Sequence, residues 1–145
     1  MDEKKYAKSH RDLVAYQKAR ILAQEIFEIT TLFPKEETYS LTDQIRRSSR
    51  SVGAQIAEAW AKRPYEKHFI SKLTDADGEQ HETQHWLETA RDCGYISQER
   101  ADLLIEKCRE IGRLIGSMIA KASLFCNPPD RSLRETQAEY FIQEA

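Results

Sequence analysis

Apolar positions along this chain repeat at alternating intervals of three and four, the spacing that holds side chains on one face of an α-helix, and no strand-like alternation competes with it. The repeat resolves into four long segments. The first is predicted from Arg11 to Leu32, with Ala15, Ala19, Leu22, Ile26 and Ile29 on its seam. Phe33-Pro34 closes it, because the residue before a proline is pushed out of the helical region. Ser40 is placed to cap a second helix running to Lys62, with Leu41, Ile45, Ser48, Val52, Gln55 or Ile56, and Ala59 inside. Pro64 suits the first turn of a third helix, where its missing N–H is not needed. Phe69, Leu73, Ala76, Gln80, Thr83, Leu87 and Ala90 make that seam, and Gly94 suits the left-handed position after its end. Ser97 then caps a fourth helix with Ala101, Leu104, Cys108, Ile111, Ile115, Met118, Ala122 and Phe125 inside. Asn127-Pro128-Pro129 stops it.

Long helices joined by short connections favour an all-α, antiparallel up-down-up-down four-helix bundle spanning residues 11–126. Residues 1–10 read as an N-terminal arm. Residues 127–145 read as a tail, either a short docked helix using Leu133, Tyr140, Phe141 and Ile142 or a disordered end. Two amides, Gln55 and Gln80, sit where the seams call for apolar residues, and their pairing would fix helix register at some cost in stability. Trp60 and Trp86 lie near a helix end and beside a polar face, positions that favour an interface. Ser48, Ser49 and Ser51 allow close helix approach.

Composition narrows the class. At 145 residues with 32% charged side chains, five glycines and four prolines, the chain has the make-up of one helical domain. A formal net charge of −2 argues against wholesale polyanion binding, yet the charge is unevenly spread. Ser40 to Arg63 carries Arg46, Arg47, Arg50, Lys62 and Arg63 against only Asp43 and Glu58. With Lys67 these basic residues are the candidate contacts for a nucleic-acid or other macromolecular partner. Residues 64–93 lean the other way, with Asp75, Glu79 and Glu82 on one helix face and Asp77 turned aside. Opposite faces of this kind are expected to meet between neighbouring subunits, where they steer association. Cys93, Cys108 and Cys126 show neither metal-ligand spacing nor a disulfide framework, and they suit the reducing cytoplasm. The opening MDEKKYAKSHRD has no apolar core of a signal peptide, and no apolar run is long enough to span a membrane.

The one motif with catalytic form is His81-Glu82-Thr83-Gln84-His85, which matches HExxH. On a helix its histidines lie one turn apart, as two zinc ligands do in a metalloprotease whose glutamate is the general base. A catalytic zinc needs a third protein ligand, and the continuation Trp86-Leu87-Glu88-Thr89-Ala90-Arg91 supplies none, leaving only Glu99 or Glu106 on the neighbouring helix. A polar stripe on a solvated helix is the expected reading, with His81 and His85 the weak metal candidates. The serines lack a histidine and a strained elbow to activate them, and Gly53, Gly78, Gly94, Gly112 and Gly116 are too scattered to cradle a phosphate. No enzyme activity and no cofactor are expected.

DLVAYQKA, LFPKEETYSLTDQIRRSSRSVGAQIAEAWAKR and DCGYIS together resemble the four-helix-bundle proteins encoded by intervening sequences in bacterial 23S rRNA genes. The resemblance spans Arg11 to Cys126. It extends to the accessory variability determinant of diversity-generating retroelements, a pentameric bundle that binds a reverse transcriptase and nucleic acid. It therefore implies a homo-oligomer, a pentamer by that analogy, without implying one defined activity. Two departures stand out. Ala59-Trp60 replaces the glycine that follows the Ile-Ala-Glu run in many relatives, and the chain is slightly acidic where the retroelement protein is strongly basic.

Overall fold

The computed structural model describes residues 7–126, and among them every regular element is helical. Four long helices follow one another: α1 (Val14–Thr30), α2 (Leu41–Ala61), α3 (Glu66–Asp92) and α4 (Gln98–Ala120). A single turn, α5 (Ala122–Phe125), extends the last. Contacts run from α1 to α2, α2 to α3, α3 to α4 and back from α4 to α1, the closed circuit of an antiparallel four-helix bundle.

Most seam positions read from the sequence are in the core, which also takes in Leu13, Val14 and Ile105 from outside those seams, while Ile29 is only half-buried. Ile45, Val52, Ile56, Phe69, Leu73, Leu87, Leu104, Ile111 and Ile115 are buried and belong to one contiguous cluster. Burial of an aliphatic or aromatic side chain of this size contributes about 1.5–3 kcal/mol, so the seams rather than helix propensity hold the bundle together.

Helix ends differ from expectation where local chemistry intervenes. The first helix begins at Val14 instead of Arg11, because Ser9 opens a separate 3-10 turn over His10–Asp12. Ser9 accepts from the Arg11 N–H, and Asp12 accepts from the Ser9 N–H in return. Core packing starts inside the expected arm, since Ala7 is buried in the main cluster. Ser40 precedes α2 without capping it, because its hydroxyl donates to Glu37 Oε1 at 2.5 Å. Pro64 lies in the turn ahead of α3, which starts at Glu66. The fourth segment breaks at Lys121, and the short α5 lays Phe125 against Phe69 with ring centroids 5.6 Å apart. Ser97 caps α4 by accepting from the Arg100 N–H, and Gly94 takes φ 79 after α3, both as expected. The 127–145 tail lies outside the described residues.

The expected Gln55–Gln80 pair does not form. Gln80 is held on its own helix, donating to Asp77 Oδ1 at 2.9 Å and accepting from Gln84 Nε2 at 2.7 Å. Gln55 Oε1 is buried with no hydrogen-bond partner among the described residues. The polar link between α2 and α3 is instead Thr83 to Ser48, with the hydroxyl oxygens 2.9 Å apart in a fully buried layer. Trp60 is also placed differently from expectation: it is buried in the chain's own core, and Trp86 packs against that core from a half-buried position.

Candidate partner-docking face

Helix α2 divides its basic residues among three directions. Arg46 turns toward α1, where its Nε donates to Thr30 Oγ1 at 2.8 Å. Thr30 is buried, and its own hydroxyl is committed to the Phe27 carbonyl at 2.9 Å. The Arg46 guanidinium carbon sits 4.8 Å from the Phe27 ring centroid, and that of Arg50, one helical turn on, sits at 5.6 Å. Phe27 is thus an aromatic ring, 37% exposed, carried on the outside of the bundle beneath two cations.

Beside it runs a groove of about 360 Å³ between α1 and α2. Ala19, Ala23, Gly53, Ala54 and Ala57 make it shallow-walled, Tyr16 and Phe27 mark its ends, and Arg20 and Arg50 flank it. The helices come into ordinary contact at Gly53, where an added Cβ would lie 3.7 Å from the Tyr16 ring and 3.8 Å from Ala19 Cβ. Ala19 and Gly53 are buried at the floor of the groove, while Ala23 and Ala57, one position beyond seam residues Leu22 and Ile56, are half-buried and Ala54 is exposed along it.

Arg47 points the other way, toward α3. It lies 3.7 Å from Asp43 Oδ2 and shares a polar cleft with Gln44, Ser48, Ser51, Glu79 and Glu82. Burial, then the neighbouring charges of Glu82 and Asp75, push the Glu79 carboxyl above its usual range, and Arg47 opposes that shift. A meeting of basic α2 with acidic α3, which the sequence suggests between subunits, therefore exists within one chain at Arg47. A second α2–α3 ion pair has the reverse polarity, with Lys72 Nζ of α3 on Glu58 Oε2 of α2 at 2.8 Å. At the far end, Arg63 folds back over Trp60 at 3.6 Å and donates its Nε to the Trp60 carbonyl, while Lys62 and Lys67 are exposed. The six basic candidates accordingly form three groups rather than one patch.

The HETQH residues lie on the outer face of α3. His81, Glu82 and His85 are exposed; His81 Nε2 is 3.7 Å from Asp77 Oδ2, and the His85 ring meets Trp86 edge-on at 4.6 Å. Glu82 accepts the Trp86 indole N–H at 3.1 Å. Glu106, one of the two possible third ligands, is engaged by Arg113 at 3.0 Å. No three of His, Cys, Asp and Glu converge on a metal-sized site among the described residues.

The connections at the Phe27 end are tied by an acid. Glu37 accepts from Ser40 and from the Tyr95 hydroxyl at 2.9 Å, which holds its carboxyl below the usual range. In the same pair the Tyr95 phenol is pushed up to about 12, first by that hydrogen bond and then by burial.

The family model for 23S rRNA-intervening sequence proteins matches residues 11–117. This chain belongs to that family. A solved structure from the S23 ribosomal protein family of Bacteroides thetaiotaomicron VPI-5482, described as a protein with unknown function, superposes with a TM-score of 0.65. It is 30% identical, and the match covers 73% of this chain and 98% of that one. No curated protein matches. The matched family segment holds all of α1, α2 and α3 and most of α4, so the Phe27–Arg46–Arg50 face lies wholly on family scaffold. Phe27 was not singled out by the sequence: it falls off the seam, and an isolated exposed apolar residue is ordinary until its neighbours are known.

Proposed function

We propose that this family member is a non-enzymatic, homo-oligomeric bundle that docks a macromolecular partner on the outer α1–α2 face. The observation that carries this is the exposed Phe27 ring held under Arg46 and Arg50 beside an open groove of small residues. Aromatic and arginine side chains of this kind dominate protein interfaces, because they supply contact area at little entropic cost and bond partner carboxylates or phosphates. Self-association is supported by large apolar side chains elsewhere on the outside, among them Ile21 at 57%, Leu32 at 86% and Tyr39 at 94% exposure. A pentameric ring is the assembly suggested by likeness to the retroelement accessory protein.

A nucleic acid is the second reading of the partner, favoured by the exposure of Arg47, Arg50, Lys62 and Lys67. Size-exclusion chromatography with light scattering, run with and without RNA over a salt series, tests both. A discrete oligomer is expected, and phosphate contacts would make RNA affinity fall steeply with salt. Monomer alone at micromolar concentration defeats the assembly reading, and absence of binding at low salt defeats the nucleic-acid one. No helix among the described residues is long and apolar enough to cross a membrane. We place the protein's work in the cytoplasm.

A further inference from the structure

The flank of α1 turned away from the docking groove carries a second surface, shared with α4. Lys18, Ile21 and Glu25 stand along it at spacings of three and four, and Leu103, Lys107, Glu110 and Leu114 stand across from them at four, three and four. Between the two helices lies a recess of about 150 Å³, lined by Lys18, Ile21, Lys107 and Glu110 and by the buried Leu22 and Ile111. Ile21 is 57% exposed there; Leu103, one turn from Lys107, is 52% exposed. We infer that this α1–α4 face is a two-fold interface with a second copy of the chain. The inference rests on the homo-oligomer reading above and names the surface that joins the copies.

The charges give the face its symmetry. Lys18 pairs with Glu110 at 2.9 Å and Lys107 with Glu25 at 2.6 Å, which sets the register of the two antiparallel helices. The midpoint between residues 18 and 25 on α1 is therefore level with the midpoint between residues 107 and 110 on α4. At 1.5 Å per residue, Ile21 lies within about 1 Å of that level, Lys107 and Glu110 about 2 Å to either side, Lys18 and Glu25 about 5 Å, and Leu103 and Leu114 about 8 Å. A two-fold axis at this level, in the plane of the face and perpendicular to the helices, lays each helix antiparallel on its own copy. It brings Ile21 onto Ile21 of the second copy, Lys18 onto Glu25, Lys107 onto Glu110 and Leu103 onto Leu114. Unlike charges meet, and apolar residues meet.

A foreign protein would have to supply this alternating pattern, whereas a second copy carries it by construction. Each of the four ions already has a partner within its own chain, so closing the face strands no bare charge. The contact is isologous and closes at two copies, so it joins two chains, or two rings built on other faces. The α1–α2 groove, on the other flank of α1, stays open to its partner.

The test places cysteines in the full chain after the exposed Cys93 is removed (Cys93→Ser), Cys108 and Cys126 being buried. A residue on a two-fold axis meets itself, so Ile21→Cys should give a disulfide-linked dimer under mild oxidation. Leu103→Cys alone, whose two copies lie about 16 Å apart, should not crosslink, and Leu103→Cys combined with Leu114→Cys should. Light scattering of the parent should give an even number of chains, and Ile21→Glu, at an exposed position, should halve the mass with the helical circular dichroism unchanged. An odd number of chains, no crosslink through Ile21→Cys, or crosslinking of Leu103→Cys as readily as Ile21→Cys overturns the proposal. An oligomer whose mass survives Ile21→Glu overturns it too and leaves the homo-oligomer reading standing, whereas a parent that is monomeric at micromolar concentration defeats both.

Discussion

Replacing Arg46 by glutamine separates a structural arginine from a recognition arginine on the same helix face. Arg46 is half-buried and makes two contacts that Gln cannot reproduce: the 2.8 Å bond to the buried Thr30 hydroxyl and the stack on Phe27. A hydrogen bond from a charged donor is worth about 1.5–3 kcal/mol, and partial exposure here argues for the lower end. The cation–aromatic contact adds about 0.5 kcal/mol at so open a site. The expected loss for Arg46→Gln is therefore about 2 kcal/mol. Arg50 is exposed and its only described contact is the longer 5.6 Å approach to Phe27, so Arg50→Gln should cost no more than about 0.5 kcal/mol. Urea unfolding followed by circular dichroism reads the difference directly. With a slope of about 2 kcal/mol per molar urea, the midpoint of Arg46→Gln should fall by about 1 M while that of Arg50→Gln hardly moves. Protein concentration must be equal in all samples, because assembly contributes to apparent stability. Equal, small shifts for the two variants would refute the assignment of Arg46 as a tie between α1 and α2.

Further outcomes follow from other contacts. Thr83→Val and Ser48→Ala should each cost about 1 kcal/mol, and the double variant clearly less than their sum, since both remove the same interhelical bond; full additivity in urea unfolding would deny the pairing. Gly78→Ala, with open space around its Cβ in the middle of α3, should gain about 0.5–1 kcal/mol, whereas Gly94→Ala, at φ 79, should lose about 1 kcal/mol; reversed signs in thermal melts would contradict the backbone description. The Tyr95 phenol ionises near 12 in the fold against about 10 unfolded, so its contribution to stability is full below about pH 10 and disappears as pH rises through 12. Tyr95→Phe should remove that part of the alkaline loss, and Glu37→Gln should lower the Tyr95 value, as followed by tyrosinate absorbance.

The four seams were legible because one physical requirement, an apolar face every turn, repeats along each helix, and Ile45, Leu73, Leu104 and Ile115 are all buried as the pattern demands. Helix ends were less legible. Ser9 and Asp12 cap one another locally, and Ser40 gives its hydroxyl to Glu37 rather than to the helix it precedes, choices that periodicity does not register. The polar layer was foreseen with the wrong members. Gln80 has neighbours on its own helix at i−3 and i+4 that claim its amide, so the interhelical bond falls to Thr83 and Ser48. The basic face of α2 was legible as composition but not as geometry. Successive positions turn by 100° on a helix, which sends Arg46 and Arg47 to different neighbours. Phe27 acquires meaning only from the guanidinium groups that the fold places over it.

The bond between Tyr95 and Glu37 joins residues 58 apart in sequence and fastens the connection after α3 to the connection before α2. Most helix contacts in the bundle are between sequence neighbours, so each hairpin closes a short loop and can form early. The clasp closes a far longer one, and its entropy is recovered only once both hairpins already stand side by side. We expect it to be a late event in folding, a latch rather than a nucleus. Its removal by Tyr95→Phe should accelerate unfolding and leave the folding rate in place, and a slowed folding arm in stopped-flow kinetics would reverse that order.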